Sequence, residues 1–173
     1  MSASVLYMSM SLDGYIAGPN DEVVNPGGDD FMRLHEWIVT PDGEYGRPSG
    51  AVGQLWDEWN ATGAVLAGRR TVEQVDHWGG DHHGVPIFVP SHRPPGPSVA
   101  NYPLVTYVTD GIASAMAQAK AAAGGQNVMV HGAPATRTRG RCDVRGAQGD
   151  RLRPWQARAA TLVRGQRWSS RNS

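Results

Sequence analysis

Three short stretches of this chain follow an apolar run with a glycine- or proline-bearing turn, two of them carrying arginine. They are Gly68-Arg69-Arg70-Thr71 after AVLA (64–67), Pro90-Ser91-His92-Arg93 closing PIFVP (86–90), and His131-Gly132-Ala133-Pro134 after NVMV (127–130). A glycine just past a strand lets a ligand approach the backbone closely. The first turn of a following helix offers unpaired N–H groups and the positive end of its dipole. Thr71 and Ser91 add hydroxyls, and Arg69, Arg70 and Arg93 add guanidinium groups able to grip phosphate in bidentate fashion. Pro134 suits the first turn of a helix. Phosphate binding is the chemistry this set supports. The plainer reading of Gly68–Thr71 taken alone is a charged helix start.

Two of the three junctions supply arginine. A site for NAD more often shows an acidic residue reaching the ribose hydroxyls, whereas arginine suits a 2′-phosphate. The expected cofactor is therefore NADPH rather than NADH.

The histidines of Asp76-His77 and Asp81-His82-His83 invite a metal reading. Adjacent side chains diverge unless the loop bends, no helical H-x-x-x-H spacing occurs, and Cys142 stands alone. No metal is expected, and a surface loop above the cofactor site is the expected role. Six tryptophans could stack on bases, but Trp56 and Trp59 share a helix face with Leu55, so core packing is the better reading.

The elements that must position these residues follow from periodicity. VLYMSM (5–10), AVLA, PIFVP, LVTYV (104–108) and NVMV read as strands. Phe31, Leu34 and Ile38 recur at helical spacing. Val52, Leu55, Trp56 and Trp59 do the same, with Ser49 as a candidate N-cap. IASAMAQAKAAA follows Thr109 or Asp110 as cap and stops at Gly124-Gly125. Strands that mostly alternate with helices, each strand nearly continuously apolar, predict an α/β fold: a largely parallel central sheet covered on both faces. Ligands of such sheets sit beyond the carboxyl ends of the strands.

Length bounds the rest. The 173 residues suit one domain. One cysteine excludes an intrachain disulfide framework and fits a reducing, cytoplasmic setting. No basic-then-apolar leader appears in MSASVLYMSMSLDG, and no stretch reaches the roughly 18 apolar residues a membrane span needs. The net charge of zero hides a split. Residues 1–133 carry six basic against fourteen acidic residues, a net of −8, and residues 134–173 carry ten arginines against two aspartates, a net of +8.

Taken together, SLDGYIAGPND, AVLAGRRT, PIFVPSHRPP and NVMVHGA, in this order, resemble the dihydrofolate reductase-like superfamily. The branch they are most similar to is the C-terminal reductase domain of the bacterial riboflavin-biosynthesis deaminase-reductase. The resemblance covers residues 4 to about 133, expected to form an NADPH-binding domain with the three-layer fold of that superfamily. It implies hydride transfer from NADPH to a small pyrimidine or pterin-like heterocycle, as in 5-amino-6-(5-phosphoribosylamino)uracil reductase. Dihydrofolate reductase-type activity is the alternative, and a catalytically weak or inactive nucleotide-binding protein a second one. By the same resemblance Ile16, Ala17 and Gly18 lie beside the nicotinamide. Gly68, Arg69, Arg70 and Thr71 hold the pyrophosphate and 2′-phosphate side, Ser91 and Arg93 the 2′-phosphate, and Gly132 and Ala133 the pyrophosphate. Asp13 belongs to the SLDG signature. The carboxylate that supplies a proton maps loosely to Asp29 or Asp30, which equally could begin a helix as favourable acids.

The pattern stops after residue 133. Three readings stay open for 134–173: a nucleic-acid arm, a disordered tail, or an out-of-frame continuation of a coding sequence that should have finished the sheet. The third fits a segment that keeps arginine, glycine and alanine while lysine and acids nearly vanish, and it leaves the sheet without its last strands. A homodimer is expected only if those strands form, and nucleic acid is disfavoured as a partner.

Overall fold

The computed structural model describes residues 3–9, 11, 15–39 and 44–132. Asp13, Ala133 and the whole arginine-rich segment, with the three readings of it, lie outside these described residues. The described residues form two compact units, one of residues 3–7 and 47–132 and one drawn from 8–46.

The first unit is an α/β sandwich around five strands. They are β1 (Ser4–Leu6), β2 (Thr62–Ala67), β3 (Ile87–Pro90), β4 (Val105–Val108) and β5 (Asn127–His131). Their order is β1-β5-β2-β3-β4, and every pair is parallel. The apolar runs explain this arrangement. All six residues of β2 are buried, as a central strand covered on both faces must be. Alternation then divides the core in two. Ala64, Leu66 and Val128 face one side with Ala115, Ala119 and Ala123 of α3 (Ile112–Ala122) and its following turn. Val65, Ala67, Ile87, Val89 and Met129 face the other, with Val72 of α2 (Arg69–Gln74) and Trp59 of α1 (Gly50–Asn60). The alanine face of α3 lets helix and sheet approach closely. β3 and β4 are joined by residues 91–104, a crossover long enough for parallel strands although it holds only a single 3-10 turn, Pro97–Asn101.

Local details differ from the sequence reading. The first strand is shorter than 5–10. Gly111 (φ 99°), not Thr109 or Asp110, occupies the N-cap of α3, because left-handed backbone there sets the entry angle. Ser49 is the N-cap of α1 but makes no side-chain capping bond. Gly124 and Gly125 end α3 with positive φ as expected.

In the second unit, Gly18 N–H donates to Gly27 O (2.8 Å), Asp29 N–H to Pro19 O (2.8 Å), and Glu22 bridges Asn25. The helix expected over 31–39 is instead two 3-10 segments, Phe31–Leu34 and Glu36–Ile38, parted at His35. Among the described residues no helix is long and apolar enough to cross a membrane.

Candidate functional site

Because β5, β2 and β3 are adjacent and parallel, Gly132, Gly68 and Ser91 emerge at one carboxyl edge in the middle of the sheet. Three junctions that are 23 to 64 residues apart in sequence are thus side by side. Ala67 pairs with His131, and Gly68 N–H donates to His131 O (3.4 Å). The first intrahelical bond of α2 runs from Val72 N–H to Gly68 O, so the N–H groups of Arg69, Arg70 and Thr71 precede the helix ladder. A Cβ placed on Gly68 would have only Thr71 Oγ1 within 4.0 Å, so the backbone there is open to approach. Gly132 is the opposite case. Its φ is 79°, and a Cβ would lie 2.3 Å from Thr71 Oγ1.

The arginines divide into different tasks. Arg69 is part of the frame: its Nη1 donates to Ser91 Oγ (3.0 Å), Arg93 O (3.1 Å) and Pro94 O (3.1 Å), and its Nε pairs with Glu73 at 2.6 Å. Its guanidinium also lies over the Tyr107 ring, 5.4 Å from the centroid. Arg69 therefore shapes the 91–94 loop through its Nη1 and is tied to α2 through its Nε. Ser91 Oγ donates to Arg93 O (2.7 Å) and accepts from Arg93 N–H, closing the same turn. The Arg70 and Arg93 residues are exposed.

The second unit holds the remaining predicted residues. Ile16 and Ala17 are half-buried. Gly18 is needed by its own loop, since a Cβ would meet Asp29 O at 1.9 Å. Asp29 accepts from Asn20 Nδ2 (2.7 Å) and Asn25 Nδ2 (2.9 Å), which ties the loop shut. Asp30 is exposed, with φ 58°, at the head of the first 3-10 segment. Both aspartates border an open depression with Phe31 and Met32.

Sequence reasoning missed a buried histidine seam on the α1/α2 face. His77 and His82 are only 3% and 9% exposed, so Asp76–His83 is no simple surface loop. The backbone of Asp76–Gly80 is left-handed throughout, with φ from 44° to 85°. That costs on the order of 1–2 kcal/mol for each non-glycine residue. Tyrosines hold it in place: Tyr102 Oη donates to Asp76 Oδ2 (2.7 Å), and Tyr107 Oη shares a hydrogen bond with His77 Nε2 (2.8 Å). His77 Nδ1 is buried without a hydrogen bond among the described residues. The loop bends at His83 and Gly84, both at positive φ, and that bend brings neighbouring imidazoles together. His82 packs edge-on to Trp78 at 4.7 Å and beside His131 at 4.8 Å. Burial, then the His131 and His83 rings, holds the His82 pKa down to about 3. Among the described residues no group of three or more His, Cys, Asp or Glu has the geometry to hold a metal ion. The Asp-His and His-His dipeptides were a signal for this seam, but its burial depends on the left-handed turn.

Fold and edge define a class: an α/β protein with a five-strand parallel sheet and glycine- and serine-bearing turns at the carboxyl ends of its central strands. Among solved structures, the chain is similar to a candidate riboflavin biosynthesis protein from Shewanella sp. PV-4. The two share 20% identity over 76% of this chain and 65% of that one, with a TM-score of 0.52. The chain thus spans less than two thirds of that protein, and the likeness is one of fold. No protein-family model matches the chain, and no curated protein matches it.

Proposed function

We propose that this chain is an NADPH-dependent reductase of a small heterocycle, most like the pyrimidine reductase of riboflavin biosynthesis. The observation that carries the reading is the convergence of Gly68, Ser91 and Gly132 at one carboxyl edge of three adjacent parallel strands. The open backbone at Gly68 and the N–H groups of the first turn of α2 fit a pyrophosphate. Exposed Arg93, rather than the engaged Arg69, is the group for a 2′-phosphate. Gly132 lets strand β5 end against Thr71 without closing the edge. NADPH, when bound, would supply the hydride. Ile16, Ala17 and Gly18 are the candidates for its nicotinamide end.

A second reading, nucleotide binding without turnover, is favoured by one observation. The Asp29 carboxylate is engaged by two asparagines and is poorly placed to act as a mobile proton donor, which leaves Asp30. Titrating NADPH into the full chain tests the shared part, and following NADPH absorbance with pyrimidine and pterin substrates separates the two. Absence of saturable NADPH binding would sink both readings. Binding without substrate-dependent oxidation would leave the second.

A further inference from the structure

Exposed apolar side chains are spread unevenly. Among the described residues seven large ones are exposed, and five of them, Tyr15, Val23, Val24, Met32 and Tyr45, belong to the smaller unit drawn from 8–46. Val23 and Val24 are 71% and 89% exposed at the tip of the loop closed by the Glu22–Asn25 bridge. A tight turn ordinarily takes Gly, Asn, Asp or Pro, so the turn itself does not require two valines there. The loop that presents them is firmly built. Asp21 Oδ1 accepts from Gly27 N–H (2.9 Å), and Asn25 Nδ2 donates to Asn20 O (3.2 Å) as well as to Asp29. Met32 and Tyr45 form a second exposed pair, with Tyr45 Oη donating to Met32 Sδ at 3.8 Å. Carboxylates are interleaved with these side chains: Glu22 precedes the valines, Asp29 and Asp30 precede Phe31 and Met32, and Glu44 precedes Tyr45. Asp29, Asp30, Phe31 and Met32 line one open depression. Glu22, Asp29, Asp30 and Glu36 have no ion pair among the described residues.

Charge is as uneven as apolar surface. Residues 8–46 carry eight acidic residues against Arg33, a net of −7, so nearly all of the −8 of residues 1–133 lies in this unit. Apolar surface interleaved with carboxylates fits arginine better than lysine. A guanidinium pairs with a carboxylate through two parallel bonds and stacks on tyrosine, while its apolar stem lies on neighbours such as Met32. One segment of this chain matches in sign, size and type. Residues 134–173 hold ten arginines, no lysine and a net of +8, with Trp155 and Trp168 for apolar contact. At roughly 3.3 Å per residue, forty residues attached after β5 reach any part of a chain this size. The tether also holds the segment at an effective concentration on the order of 1 mM, which favours its own chain over a second copy at lower protein concentration. We propose that residues 134–173 dock as a basic arm on the acidic, apolar surface of residues 15–45 in the same chain. The docked arm covers Val23, Val24 and Met32 and neutralises a unit whose charges otherwise repel one another. The inference does not rest on the nucleotide reading.

The arm carries the chain's one cysteine, Cys142, so a nitroxide can be attached to the full chain without any substitution. Amide NMR spectra then report which residues the label approaches. At about 0.02 M salt the amides of Val23, Val24, Asp30, Met32 and Tyr45 should lose most of their intensity, and raising salt to about 0.5 M, which screens exposed charge pairs, should restore a large part of it. The amides of Ile112–Ala122 in α3 should keep their intensity throughout. A five-site variant at exposed positions, Glu22→Gln, Val23→Ser, Val24→Ser, Asp30→Asn and Glu36→Gln, should abolish the loss. The proposal is overturned if the surface amides keep their intensity at low salt, if α3 loses as much as they do, or if the folded variant shows the original loss. Spin-labelled chain mixed with isotope-labelled Cys142→Ser chain addresses the other occupant. An undiminished loss in that mixture assigns the surface to a second copy and overturns the proposal too. Should the five-site variant not fold, the salt series and the mixture decide.

Discussion

Thr71 Oγ1 occupies the space where a Cβ on Gly132 would have to lie, 2.3 Å from its ideal position. The contact locks the start of α2 against the end of β5, and it makes the glycine a requirement of packing as well as of its φ of 79°. Gly132→Ala should cost on the order of 2–3 kcal/mol, about 1 from left-handed backbone and the rest from overpacking. Thr71→Ala should be mild alone and should recover the overpacking part in the double variant. Urea denaturation of the four proteins gives the coupling. Strict additivity would mean that the two residues do not press on each other.

Arg69 and Arg93 should behave as different kinds of residue. Arg69→Ala removes three donated bonds from the 91–94 loop and the Glu73 pair, at a cost of roughly 1–3 kcal/mol given the part-exposed site. Arg69→Lys should not rescue it, since one ammonium cannot reproduce the fork. Arg93→Ala should leave stability within about 0.5 kcal/mol. It should lower affinity for NADPH about 10- to 100-fold while leaving NADH nearly unchanged, as loss of a charge-assisted phosphate contact would. Parallel fluorescence titrations with both dinucleotides measure this. An unchanged NADPH-to-NADH ratio would remove Arg93 from the site.

How much of this was legible in the chain depends on which forces act locally. The five strands could be read because AVLA, PIFVP and NVMV are apolar without alternation, which only a doubly covered strand tolerates. Their carboxyl-edge junctions followed once the strands were parallel. Phe31, Leu34 and Ile38 kept helical spacing, yet the segment breaks at His35 into two 3-10 turns. The burial of His77 and His82 was not legible. Three consecutive non-glycine residues at positive φ are adopted only where tertiary contacts, here from Tyr102 and Tyr107, outweigh the local cost. The task of Arg69 was hidden for a similar reason, since its partners lie 22 to 25 residues away.

Asp29 and Asp30 can be separated by charge removal. In Asp29→Asn the acceptors for Asn20 and Asn25 weaken, and the new amide brings donors to a place that holds two donors already. The 18–29 loop should lose about 1–2 kcal/mol, seen as faster amide exchange at Gly18 and Asp29, whose N–H groups are bonded across that loop. Asp30→Asn should be neutral or slightly stabilising, because asparagine tolerates the left-handed region well. If Asp30 supplies the proton, that conservative change should still lower kcat about 10²- to 10⁴-fold without weakening NADPH binding. An unaltered kcat would exclude it from proton supply.

Acid should destabilise the sheet unit through His82. Its folded-state pKa of about 3 lies below the ordinary histidine value, so the unfolded chain binds more protons between the two. The contribution is whole above about pH 6.5 and is lost as pH falls toward 3, with a limiting slope near 1.4 kcal/mol per pH unit for one imidazole. His83, whose pKa burial also lowers, adds a smaller effect of the same sign. Urea midpoints from about pH 7.5 down to about pH 4.5 should therefore decline. His82→Phe, which keeps a ring against Trp78 and His131, should flatten the decline even if it lowers stability at neutral pH. A slope that survives the replacement would assign the acid sensitivity to other groups.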